Sequence, residues 1–251
     1  MFKTNSASYG GFLGISNSYG AALWGLDYAL QMAYSNFSGA LFHVGGQNVY
    51  YNPFTHMSCL FSPFVEVQYW CVHKAPPTNQ SAFHQWTIGP IVSNSFDQSS
   101  ISYLSLGCQY YAALVVAETF RFSSSSQILN LNANNGNIFT PGYAVYEGGS
   151  LSKLALFNFM MDPSGNNDYT TTISIRPATI LAQVKVKYLS ASSVSSKNNI
   201  TWAGQTFRAN FASDGRLQGD LNIQTIPCDT NSNTCPNQGS RTGFCPCFFL
   251  R

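Results

Sequence analysis

The sequence predicts a mixed α and β protein that is mostly β and has two parts: a partial (β/α) barrel over residues 1–122 and an antiparallel β-sandwich over residues 123–251. Two patterns favour this class. Within the first 53 residues a helical apolar pattern precedes a short apolar strand, and together they form one unit of a parallel α/β barrel. After residue 122, short alternating stretches are separated by clusters of Gly, Pro, Asn and Ser, as in antiparallel β-sandwiches.

The first predicted element is an amphipathic helix. Each residue of the triplet Ser16–Ser18 can cap its N-terminus by accepting a hydrogen bond from a backbone N–H group. Apolar residues then recur at steps of three and four and share one helical face: Ala22, Leu23, Leu26, Ala29, Leu30 and Ala33. Asn36 and Gly39 should end the helix, and the apolar residues 40–44 predict a buried parallel strand. In barrels, chemistry lies on the loops that follow such strands.

The later elements are one helix and a series of short strands. A helix is expected over residues 112–120, before a run of serines. Strands are predicted over residues 154–160, 170–175, 182–188 and 217–224. Strict alternation of apolar and polar residues over 182–188 indicates one buried face and one solvent-exposed face. The last ten residues, TGFCPCFFLR, add Cys245 and Cys247 and read poorly as a last strand; our hypothesis is a shift of the reading frame there.

Two stretches, residues 55–74 and 91–109, break these patterns and are predicted to be insertions. Neither has helical or strand periodicity. Without them, PPTNQSAFHQWTIGP would continue into YYAALVVAETF as one helical stretch. Our hypothesis is that both are translated introns; ordinary loop insertions are the alternative.

Composition excludes several classes of function. Only 9% of the residues are charged and the net charge is +2, which gives no electrostatic reason to expect nucleic acid or a membrane surface as a partner. No segment reaches the ~20 apolar residues that span a bilayer. No secretory signal is visible, although three Asn-x-Ser/Thr sequons, at Asn36, Asn79 and Asn199, give weak support for secretion. Cysteine and histidine spacing predicts no metal site, and no cofactor is expected.

A set of motifs resembles one enzyme family. KTNSASYGG, SYGAALWGLDYAL and FHVGGQNVYYNPF, followed by the two helical stretches quoted above, resemble the last part of the catalytic barrel of fungal glycoside hydrolase family 79. These are β-glucuronidase-like enzymes of the heparanase clan. The resemblance covers most of the chain but only the C-terminal part of the usual enzyme. It implies a β domain after the barrel, an extracellular location, a glucuronide-type substrate and a disulfide between Cys228 and Cys235.

The resemblance also implies which residues form the site. Family members are retaining glycosidases, which need two carboxylates ~5 Å apart. The nucleophilic position, immediately before Thr-Asn-Ser, is Lys3, and an ammonium group cannot form the glycosyl ester. The acid/base residue would lie on an earlier strand that this sequence lacks. Tyr50 and Tyr51 fall in the loop whose tyrosine holds the uronate carboxylate; packing between barrel and sandwich is the alternative role for both.

Two functions therefore compete. The first is a family 79 C-terminal fragment that is catalytically incompetent alone, and the second is a non-catalytic β-sandwich module that binds carbohydrate or protein. Because six preceding barrel strands are missing, we expect residues 123–251 to form the ordered core and residues 1–53 to pack on it loosely.

Overall fold

The protein is described by a computed structural model. It describes residues 2–9, 11–37, 39–43, 54–56, 69–71, 104–106, 108–120, 126–160, 164, 166, 169–174, 181–207, 217–232, 234–240 and 244–249. The helices are α1 (Tyr19–Tyr34), α2 (Gln109–Thr119) and the single turn α3 (Ala133–Gly136). The strands are β1 (Phe2–Thr4), β2 (Ala40–His43), β3 (Phe54–His56), β4 (Tyr69–Cys71), β5 (Leu104–Leu106), β6 (Ser126–Asn130), β7 (Gly142–Glu147), β8 (Ser150–Leu156), β9 (Tyr169–Ser174), β10 (Gln183–Ser190), β11 (Thr201–Trp202), β12 (Gln224–Pro227), β13 (Thr234–Ser240) and β14 (Phe244–Phe249).

The N-terminal part is a parallel β–α–β unit. Strands β1 and β2 pair in parallel, with Lys3 opposite Leu41, and α1 is the crossover between them. The predicted helix and the predicted parallel strand are therefore confirmed. Strand β4 adds to the other edge of β2 in the antiparallel sense, which gives the sheet order β1–β2–β4.

The C-terminal part is antiparallel β structure, as predicted. Its main sheet has the strand order β11–β10–β14–β8–β7–β6, with β12 also paired to β10. A second, two-stranded sheet joins β9 and β13. Strand β14 lies in the middle of the main sheet, between β10 and β8. The expectation that the last ten residues make a poor strand is wrong, because two neighbouring strands supply backbone partners on both edges of β14.

The main sheet buries both of its faces. On one side, Tyr143 and Val145 of β7 join α1 and α2 in one hydrophobic core. On the other side, Ala144 of β7 joins Ile173 of β9 and Cys235 of β13 in a second core. Successive residues of a strand point to opposite faces, so one short strand serves both cores.

The helix α1 is packed tightly against the sheet. Leu23, Leu26 and Leu30 have no solvent exposure, and they share their core with Phe157 and Leu189 of the β domain. The expectation of loose packing is wrong. The apolar face of α1 is covered directly by the sheet and by α2, so its burial does not depend on further barrel strands.

Three strand predictions need correction. The strand predicted over residues 154–160 is β8, which spans Ser150–Leu156 and ends before Phe157. Residues 217–223 alternate in sequence but form no strand; Gly219 adopts a left-handed φ of +100°, and Leu221 and Ile223 are exposed. The strand begins only at Gln224, where β12 pairs with β10. In β10 the face predicted to be solvent-exposed is only partly exposed, because Lys187 on that face forms an ion pair with Glu118 of α2.

The predicted insertions lie mostly outside the described residues. Within them, β4 belongs to residues 55–74 and pairs with β2, while β5 belongs to residues 91–109 and pairs with β3. The helix α2 begins at Gln109, at the end of the second stretch.

Candidate functional site

The candidate site is the end of the parallel sheet at which β1 and β2 both reach their C-termini, here called the C-terminal edge of the sheet. Both strands run in the same direction, so their C-terminal residues Thr4 and His43 belong to the same edge of the sheet. The backbone of Lys3, which occupies the nucleophile position implied by the resemblance, lies in β1 one residue before that edge. Tyr50 and Tyr51 lie outside the described residues, so their predicted role in holding a carboxylate stays a prediction.

The residues after β1 form a small polar cluster with α2. The Oδ1 atom of Asn5 accepts hydrogen bonds from the Ser6 backbone N–H (3.1 Å) and from Nε2 of Gln109 (3.2 Å). The Ser6 Oγ and Gln109 Oε1 atoms are buried and have no hydrogen-bond partner within the described structure. Buried polar atoms are normally paired with protein or water. The cluster therefore offers unsatisfied polar groups at this edge, but it contains no carboxylate.

The described carboxylates near the helices are bound elsewhere. Asp27 on α1 accepts a 2.6 Å hydrogen bond from the Tyr143 hydroxyl of β7. Burial raises the pKa of Asp27, and the Tyr143 bond opposes that rise in part. Burial, followed by the Asp27 contact, raises the pKa of Tyr143 far above its usual value. This pair fastens α1 to the sheet and is not placed to attack a sugar.

A second carboxylate fastens α2. Glu118 pairs with Lys187 of β10 through Oε1, and its Oε2 accepts a 2.8 Å hydrogen bond from Nε1 of Trp202 in β11. The Lys187 Nζ atom lies 5.7 Å from the centre of the Trp202 ring, a cation–π distance. Neither this cluster nor the Asp27–Tyr143 pair was expected from sequence, although an acidic residue on an otherwise apolar helix is the signal that marks both.

The start of α1 differs from the sequence prediction. The side chains of Ser16, Asn17 and Ser18 do not cap the helix: Ser18 Oγ donates to the Ile15 carbonyl, and the other two accept from Phe12 and Gly14. The backbone N–H groups of Tyr19 and Gly20, in the first turn of α1, donate to the carbonyls of Ser196 and Val194, each at 2.7 Å. A loop of the β domain thus satisfies the helix end, and the local hydroxyl groups are left to order the preceding turn.

The cysteines whose side chains the structure describes are either paired in a disulfide or buried as a thiol. Cys228 and Cys235 are joined by a disulfide, the pair implied by the resemblance. Cys108 is a buried thiol whose pKa burial raises to about 11, so it is protonated and unreactive at neutral pH. Across the described ranges, no group of three or more His, Cys, Asp or Glu side chains could hold a metal ion. No helix in those ranges has the length and apolar character needed to cross a membrane.

The structure is thus an antiparallel β domain with a parallel β–α–β unit packed on one face of its main sheet. Residues 142–236 match the glycosyl hydrolase family 79 C-terminal beta domain. The part of the resemblance that implies a C-terminal β domain is therefore confirmed over residues 142–236.

The solved structures include a protein of similar fold. It is the 4-O-α-L-rhamnosyl-β-D-glucuronidase of Fusarium oxysporum 12S, solved in complex with Rha-GlcA, with a TM-score of 0.67 and 20% sequence identity. The match covers 99% of this chain and 42% of the glucuronidase chain, so this chain spans less than half the length of that protein. No curated protein sequence matches the chain.

Proposed function

We propose that the chain is the C-terminal part of a family 79 glycosidase and cannot hydrolyse a glycoside by itself. In this proposal β1, α1 and β2 are consecutive elements of the catalytic (β/α) barrel, and residues 123–251 are the accompanying β domain. The observation that carries the proposal is a parallel β–α–β unit packed on a β domain that matches family 79; a lysine at the nucleophile position implied by the resemblance supports it.

The free edge of β1 supports a larger barrel. Among the described strands β1 pairs only with β2, so its other edge is open to a further parallel strand. The loop after β1 exposes four large apolar side chains, each more than 60% accessible: Tyr9, Phe12, Leu13 and Ile15. A dense group of exposed apolar residues indicates a surface that another polypeptide segment covers. The 42% coverage of the glucuronidase fits this reading, since that protein has much more chain to supply such a segment.

The chemistry supports inactivity of the isolated chain. A retaining glycosidase needs a carboxylate nucleophile and a second carboxyl group as acid/base. Lys3 carries a positive charge, which would repel the oxocarbenium-like transition state. Asp27 is already hydrogen-bonded to Tyr143. Glu118 is already bound to both Lys187 and Trp202. The substrate class proposed for the complete site is a β-glucuronide, and Tyr50 or Tyr51 is proposed to hold its carboxylate.

A turnover assay and a chimera test the proposal. The purified chain should release no phenol from an aryl β-D-glucuronide, and Lys3→Glu should be equally inactive because the acid/base residue is still lacking. Fusion of the preceding barrel segment of the Fusarium glucuronidase to residue 1 should give turnover with Glu at position 3 and none with Lys. Turnover by the unmodified chain, or a folded Lys3→Glu chimera with no activity, would contradict the proposal.

A second function, binding by a non-catalytic module, has one observation in its favour. Four large apolar residues are exposed on β6 and on the turn that follows it: Leu129, Leu131, Ile138 and Phe139. Three asparagines of the same turn have left-handed backbone angles: Asn132, Asn134 and Asn135. Binding of the Rha-GlcA disaccharide without turnover, lost in Phe139→Ala and kept in Leu221→Ala on another exposed segment, would favour this function.

A further inference from the structure

The tripeptide Asn199-Ile200-Thr201 has the pattern of an N-glycosylation acceptor. In the structure Asn199 is exposed and has a left-handed φ of +58°. Within the described part of the chain its side-chain amide makes no hydrogen bond. The two residues that follow are fixed: Ile200 is buried, and the Thr201 hydroxyl lies 2.9 Å from Ser190 Oγ across the β11–β10 pair. The structure thus leaves the acceptor amide in solvent while its neighbours anchor the strand.

A second acceptor pattern stands at the end of α1, where Asn36 begins Asn-Phe-Ser. Asn36 is exposed and takes the left-handed position that ends the helix, with φ of +63°. Its backbone N–H donates to Ala33, and that of Phe37 donates to Met32, which closes the last helical turn. Backbone groups alone satisfy this helix end, so a sugar on the Asn36 amide would break no contact of the described structure.

An independent feature indicates the compartment in which such a modification occurs. The Cys228–Cys235 disulfide closes a short loop of the β domain. Disulfides persist in secreted proteins and in the lumen of the endoplasmic reticulum, and they are rare in the cytosol. N-glycosylation of Asn-x-Ser/Thr also belongs to secreted proteins. The disulfide and the two exposed acceptors therefore both indicate passage through the endoplasmic reticulum and secretion.

We propose that Asn199 and Asn36 are N-glycosylation sites. The donor is an oligosaccharide linked to a lipid pyrophosphate. The asparagine Nδ2 atom forms a bond to the anomeric carbon, the bond from that carbon to the pyrophosphate oxygen breaks, the lipid pyrophosphate leaves with the electron pair, and Nδ2 loses one proton. No oxidant or reductant is needed.

The structure also fixes when the Asn199 sugar is added. A transferase must bind the acceptor tripeptide as a flexible segment, and in the folded protein Ile200 and Thr201 are held in the sheet. Transfer to Asn199 therefore precedes the pairing of β11 with β10. The sites flank α1, since Asn36 follows its C-terminus and the loop before Asn199 contacts its N-terminus through Val194 and Ser196.

The test is translation of the full chain, preceded by a cleavable secretion signal, in the presence of endoplasmic reticulum microsomes. Asn79, whose sequon lies outside the described residues, is replaced by Gln throughout so that it adds nothing to the result. The expected product carries two sugar chains. Each lowers the electrophoretic mobility of the protein by one step, and an N-glycosidase reverses both steps. Asn199→Gln and Asn36→Gln should each lose one step, and the double variant should lose both. Thr201→Ser keeps the acceptor hydroxyl group and should keep both steps.

This assay does not require a folded or secreted product, because transfer occurs on the growing chain. A translocated, protease-protected chain with no glycosidase-sensitive step would overturn the proposal. A step that survives in the Asn36→Gln, Asn199→Gln double variant would overturn the assignment to these residues. The timing is tested by adding microsomal transferase and donor to the folded chain made in bacteria: no transfer to Asn199 is expected, and efficient transfer would contradict the stated order of events.

Discussion

The Tyr143 hydroxyl group donates a 2.6 Å hydrogen bond to Oδ1 of Asp27, and this bond joins β7 to the middle of α1. The same hydroxyl lies 3.2 Å from Oε1 of Gln31, which also accepts from Nδ2 of Asn130 in β6. A line of polar groups thus crosses an otherwise apolar helix–sheet interface. Because the position of each group is fixed by the others, these hydrogen bonds set the rotation of α1 about its axis and its position relative to the sheet.

Tyr143→Phe should destabilise the protein by about 1–3 kcal/mol, because the substitution leaves the buried Asp27 carboxylate without its donor. The side chain of Tyr143 is almost fully buried, and the ring itself is retained, so no cavity contributes to the loss. Unfolding in urea, followed by circular dichroism, measures the change. Tyr9→Phe is the matched control: Tyr9 is fully exposed, and its variant should stay within about 0.5 kcal/mol of the original protein. Equal effects of the two substitutions would refute the role of the bond.

Asp27→Asn should remove a pH dependence of stability. Burial raises the folded-state pKa of Asp27 above the unfolded value of about 3.9. Between those two values the folded protein holds more protons, so the free energy of unfolding falls as the pH rises through this interval. The asparagine amide oxygen still accepts the Tyr143 bond and does not titrate. The variant should therefore gain stability relative to the original protein as the pH is raised from about 4 towards neutrality.

The control for this experiment is Asp220→Asn, which alters an exposed carboxylate. Its stability difference from the original protein should be small at every pH. If the difference for Asp27→Asn is the same at acid and neutral pH, the carboxylate is not titrating as its burial requires.

Sequence reasoning found the elements of this fold but not the contacts that join them. The periodicity of α1, of α2 and of β10 is local and is readable along the chain. Asp27 and Tyr143 are 116 residues apart, and nothing in the sequence pairs them. The carbonyls of Val194 and Ser196 that bind the start of α1 are even further away along the chain, and a backbone carbonyl carries no residue signature.

The candidate site shows the same limit. The prediction that Lys3 stands at the nucleophile position rests on a resemblance, which uses the local motif Thr-Asn-Ser. The contact of Asn5 with Gln109 has no such local motif, since it depends on how α2 packs beside the end of β1. Strand β14 was not expected from the sequence either, because its formation depends on pairing with β10 and β8, which lie far away along the chain.

Glu118→Ala should cost more than the removal of an ordinary surface ion pair. Glu118 binds both Lys187 and the Trp202 N–H group, and its removal leaves a half-buried ammonium group and an unpaired indole N–H. A loss of about 1–3 kcal/mol is expected. Glu147→Ala is the matched control, since among the described residues Glu147 pairs with Lys153 alone, in the β7–β8 hairpin, and has a similar side-chain exposure. A paired charge of that kind contributes about 0–1 kcal/mol. Thermal or urea unfolding of the two variants measures both losses of stability. Equal losses would contradict the prediction.

Leu26→Ala tests whether the helices and the β domain unfold together. Leu26 has no solvent exposure and lies in the core that α1 shares with Phe157 and Leu189, so truncation should cost about 2–5 kcal/mol. Because the core is shared, the loss should appear equally in the fluorescence of Trp24 on α1 and of Trp202 in the β domain, each read in a variant in which the other tryptophans are replaced by phenylalanine. Leu13→Ala, on the exposed loop after β1, should change neither transition. Two separate transitions, with Trp202 unaffected by Leu26→Ala, would mean that α1 is only loosely attached and that its burial against the sheet contributes little to stability.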